Sequence, residues 1–142
     1  MDQKIEGFTA ADTADIEKQR SWVRDHCEAE ARDNYETLQG KYELLETILS
    51  SGWVGPQETW KLQSLGVTFG DMLVQLLELE WVMVEDDQGR DPALRVPGTS
   101  ILVFPKTAIS KRIERGERVD VKDLLRTFAQ HVENLRDDPK VT

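Results

Sequence analysis

The chain has 142 residues, 39% of them hydrophobic and 32% charged, with four Trp, four Phe and two Tyr, a balance that suits one soluble domain with one core and excludes a disordered chain. A formal net charge of −9 argues against a nucleic-acid partner, since phosphate binding needs a net basic face, but permits a basic protein; it also fits an acidic surface kept for solubility alone. Cys27 is the one cysteine, so no disulfide closes within the chain, and no stretch approaches the roughly 18 apolar residues of a membrane span.

Residues 1–12 are polar and aperiodic and read as a loose arm, without the basic start and apolar run of a secretory leader; a cytoplasmic location is expected. Asp12 or Thr13 is placed to cap a first helix extending to about residue 32. Its apolar face is narrow (Ile16, Val23 and Cys27, widened by Trp22), so it is expected to be the least tightly held element. His26 and Cys27 are helix neighbours pointing about 100° apart, which is wrong for a base and its nucleophile. From Tyr35 the spacing sharpens: Tyr35, Leu38, Tyr42, Leu45 and Leu49 mark a second amphipathic helix, with Gly40 inside it and Ser50-Ser51-Gly52 as its stop.

After the connector Trp53–Gly55, Pro56 suits a first helical position and Glu58 the first turn. Leu62, Leu65, Phe69, Met72, Leu76 and Leu79, broadened by Leu73 and Leu77, predict the most buried helix, with Phe69 and Leu76 in the core. Gly66 and Gly70, four apart, suggest close approach of another element. Three β-prone runs follow: Trp81–Val84, Ala93–Val96 and Ile101–Phe104. The acidic stretch Asp86–Pro92 and a Pro97-Gly98 turn separate them, predicting a three-stranded antiparallel meander. A short basic helix is expected over Thr107–Arg115 with Gly116 as its cap, then a last helix from Asp120 carrying Val121, Leu124, Leu125, Phe128, Val132 and Leu135. Residues 137–142 read as a tail. The whole is α+β: two N-terminal helices, a central buried helix, the meander and two C-terminal helices, with 13–136 as a single domain.

Two polar stretches stand out. Glu85, Asp86, Arg90 and Asp91 crowd the hairpin mouth. They are too irregular for a calcium loop, and turn-forming propensity accounts for them equally well. Asp91, held extended before Pro92, is placed to accept from loop N–H groups, and Arg90 to reach Glu85 or Asp86. Lys111 and Arg112 lead a basic run that suits an acidic partner segment or a solvated helix face. Two His and one Cys give no zinc-type spacing, and no phosphate loop, nucleophile elbow or HExxH occurs. No metal or cofactor is expected.

Three segments, LQSLGVTFGD (62–71), WVMVEDDQGRDPALRVPGTS (81–100) and FPKTAISKRIERGERVDV (104–121), are together similar to a bacterial family known as domain of unknown function 3806, over about residues 53–135. The resemblance implies a small bacterial domain and carries no activity or catalytic residue with it. By it, Glu85, Asp86, Gly89, Arg90, Asp91, Pro92, Lys111, Arg112, Glu114 and Gly116 belong to the family's signature. Two functions compete. One is a non-enzymatic protein-binding module of the immunity or adaptor kind, for which Glu85, Asp86, Arg90, Asp91, Lys111 and Arg112 are the binding candidates. The other is a hydrolytic or metal-assisted enzyme using the Glu85–Asp91 loop, which requires those groups to converge in a concave pocket.

Overall fold

The computed structural model describes residues 3–26 and 34–138. The hairpin expected at its centre is there, but longer on both arms. β2 (Glu80–Asp86) pairs with β3 (Gly89–Arg95) so that Val82 faces Ala93 and Asp86 faces Gly89, leaving a two-residue turn. The supposed loop 86–92 is therefore mostly strand. Residues 89–92 lack an apolar alternation because that half of β3 is exposed and has β2 on one side only, where Pro92's missing N–H is tolerated. Gly89 takes φ 127° at the strand entry.

β4 (Leu102–Val103) pairs only with Leu94 and Arg95, after a Pro97-Gly98 turn in which Thr99 N–H donates to the Val96 carbonyl and Gly98 has φ 80°, the expected type II geometry. A fourth strand corrects the reading of residues 1–12 as a loose arm. β1 (Lys4–Glu6) runs antiparallel to β2, with Ile5 opposite Val84, giving the order β1-β2-β3-β4. Three residues carry too little periodicity to be read as a strand; the edge of β2 supplies the hydrogen bonds.

α1 (Ala10–Arg24) begins earlier than expected. Thr9, not Asp12 or Thr13, is its cap: Thr9 Oγ1 accepts from Asp12 N at 3.1 Å, and Asp12 returns the bond to Thr9 N at 2.8 Å. Ile16, Gln19 and Val23 are buried, so this helix is firmly packed on α3, against the expectation of a loose element. Cys27, and with it the His26–Cys27 reading, lies outside the described residues.

α2 is Leu38–Ser51, capped by Thr37; Tyr35 sits before it in a single 3₁₀ turn and is 5% exposed. Gly40, which looks like a cost in a helix, has a purpose: a Cβ there would meet the Asn34 carbonyl oxygen at 1.8 Å.

α3 (Thr59–Leu77) starts three residues after Pro56, with Glu58 at its N-cap, and is the central helix. An unbroken run from Ser64 to Leu73 is buried because helices pack around α3 and Trp81 of the sheet lies on it. Leu76 does not share this environment: it is 43% exposed while Leu73 and Leu77 are buried. The heptad-like spacing drifts off the inner face by the last turn, since an α-helix repeats at 3.6 residues. Gly66 and Gly70 are the expected points of close approach: added Cβ atoms would lie 2.0 Å from the Lys106 carbonyl oxygen and 2.5 Å from the Trp81 ring. Arg136 Nη2 donates to the Leu77 carbonyl at 2.7 Å and closes the C-terminus of α3.

α4 (Ala108–Glu114) and α5 (Val121–Arg136) complete the chain, with Asp120 capping α5 and Phe128 edge-on to Phe69 at 5.2 Å. One sheet face joins the main core through Leu94, Val96 and Val103. Val82, Val84 and Ala93, with Ile5 and Leu102, form a second cluster on the other face.

Candidate functional site

Asp71 is the only charged residue between Leu62 and Leu77, and the structure explains its presence. It is 9% exposed and accepts from four donors. Arg20 Nε and Nη2 reach its two oxygens at 2.7 and 2.9 Å, Trp81 Nε1 donates at 3.0 Å, and the Tyr35 hydroxyl donates to Oδ2. The Thr68 hydroxyl lies 3.2 Å from the phenol oxygen. Burial, then the charge of Asp71, pushes the Tyr35 phenol well above its ordinary range, so it stays a donor. Burial works against the Arg20 charge, but its bonds to Asp71 more than compensate. No lone pair of Asp71 is left for a ligand. The group is an internal clamp joining α1, the Tyr35 turn, α3 and β2. A single carboxylate in the otherwise uncharged run 62–77 was its signal in the sequence.

The clamp joins α1 to the second half of α3, and a groove of about 540 Å³ lies between α1 and the start of that helix. Ala14, Glu17, Lys18, Ser21 and Trp22 contribute one face of α1, Asp25 follows at its C-cap, and Trp60 forms the opposite wall. The Trp60 carbonyl accepts from Ser64 Oγ at 2.9 Å and from Gln19 Nε2 at 3.4 Å, so its backbone is held while its side chain projects. The aromatic surface continues past the groove: the Trp22 and His26 rings are 3.9 Å apart, and His26 lies 6.4 Å from Trp53. Trp60 is 49% exposed and Trp53 is 54% exposed, an uncommon state for so large an apolar side chain. Trp22 reads from the sequence merely as widening a helix stripe, and Trp53 as a connector. That Trp22 shares a groove with Trp60 depends on how two helices dock.

The charged candidates fall elsewhere. Arg90 does not close on Glu85 or Asp86. Its Nη1 and Nη2 each lie 2.6 Å from an oxygen of Asp12, and its Nε lies 3.8 Å from Glu6, so it ties β3 to α1 and β1. This bond, followed by the Thr9 N–H, holds the Asp12 carboxyl well below its ordinary range. Glu85 faces Arg90 across the ladder, and Asp86 accepts from Gln88 N at 2.8 Å within the turn. Asp91 is exposed opposite Val84 and has no loop N–H bonded to its carboxylate, contrary to expectation: the loop that was to supply those donors is a strand engaged with β2.

Because strand neighbours alternate faces, Glu85 and Arg90 share one side of the hairpin while Asp86 and Asp91 project from the other. Arg90 and Asp91 both border a smaller cleft of about 190 Å³ with Asp12, Met83 and Lys106. Lys111 and Arg112 are not part of it. Lys111 is exposed on α4, and Arg112 donates to the Ala108 carbonyl at 2.9 Å. Among the described residues no group of three or more His, Cys, Asp or Glu is arranged to hold a metal, and no helix is long and apolar enough to cross a membrane.

The architecture, five helices and a four-stranded antiparallel sheet among the described residues, defines an α+β domain. A protein of Bacteroides thetaiotaomicron VPI-5482, solved by crystallography at 1.50 Å, is similar to it with a TM-score of 0.74 and 15% identity over 92% of this chain and 48% of its own. The present chain thus spans about half the length of that protein, and the likeness is one of fold. Residues 41–124 match the family model described as "Domain of unknown function (DUF3806)", and the chain belongs to that family. No curated protein gives a significant match.

Proposed function

We propose that the chain is a non-enzymatic protein-binding module of the immunity or adaptor kind, and that its contact surface is the aromatic groove between α1 and α3. The observation that carries this reading is the half-exposed state of Trp60, which walls the groove with Trp22, and of Trp53, which extends the row of Trp22 and His26 rings. Tryptophan is the side chain most over-represented at binding hot spots, where a rigid indole brings a large area at low entropic cost. The net charge of −9 supports a protein partner over nucleic acid, and a cytoplasmic setting is part of the same proposal.

The test is site-specific photo-crosslinking in the source cell, with the crosslinking residue placed in turn at Ser21, inside the groove, and at Asp87, at the hairpin tip. The expected result is a discrete adduct from position 21 that disappears when Trp60→Ala is added. Adducts from position 87 alone, or a position-21 adduct indifferent to Trp60→Ala, would overturn the reading.

A further inference from the structure

We draw no further inference here: the strongest candidate, the groove between α1 and the start of α3 walled by Trp22 and Trp60, has its Glu17 already paired with Arg20 and Arg24 and carries Lys18 on the same wall, so nothing in the structure shows what covers it.

Discussion

Replacing Asp71 by Asn tests whether the clamp holds the molecule together. The substitution keeps the size of the side chain but removes its charge and turns one acceptor oxygen into a donor NH₂. Arg20 then loses its counter-charge, and of the Arg20, Tyr35 and Trp81 donors at least two lose an acceptor. The side chains of Arg20 and Asp71 are 20% and 11% exposed, so water replaces little of what is lost. Breaking such a pair by changing one partner costs about 3–5 kcal/mol, set against a total stability of about 5–15 kcal/mol for a domain of ordinary size. With a urea slope of about 2 kcal/mol per M, the midpoint should fall by about 1.5–2.5 M. Arg20→Met alone and combined with Asp71→Asn completes a double-mutant cycle, in which a coupling of at least about 1 kcal/mol is expected. A midpoint for Asp71→Asn within about 0.5 kcal/mol of wild type, or strictly additive variants, would refute the clamp.

Tyr35 adds a pH dependence. Its folded pKa lies above the unfolded value of about 10, so the stabilisation is complete below that pH and is lost as pH rises through the folded pKa. Tyr35→Phe should flatten that alkaline loss, and equal slopes of stability against pH above about 10 for the two proteins would contradict it. Gly66→Ala sets two effects against each other. Helix propensity favours alanine by about 1 kcal/mol, yet the new Cβ would lie 2.0 Å from a backbone oxygen that has little freedom to move. A net loss of about 1–3 kcal/mol is expected by thermal melting, and a raised midpoint would mean the 104–107 segment yields easily. Phe69→Ala should cost about 3–5 kcal/mol and Leu76→Ala no more than about 1 kcal/mol, in line with 0% and 43% exposure; similar denaturant midpoints for the two would show that the inner face of α3 is misplaced.

Elements whose own periodicity or turn chemistry names them were legible from the sequence. The amphipathic helices α2, α3 and α5, the Pro97-Gly98 turn, the Gly116 cap and the Trp81–Val84 strand each carry a local signal that survives folding. The glycines at 66 and 70 marked close approach correctly, because a missing Cβ in a helix is tolerated at a cost that packing must offset. What tertiary structure alone decided lies between elements. β1 is a strand because β2 offers it an edge; nothing in Lys-Ile-Glu demands it. Arg90 bonds to Asp12, 78 residues away, rather than to the carboxylates beside it, because strand alternation turns it toward α1. Asp71 finds Arg20, Tyr35 and Trp81 on three separate elements, and Trp22 and Trp60 line one groove across a helix pair. These contacts join residues far apart along the chain. Spacing records only neighbours within one element, so the lone Asp71 marks one member of the clamp, and neither its partners nor the groove leave a pattern that the chain alone displays.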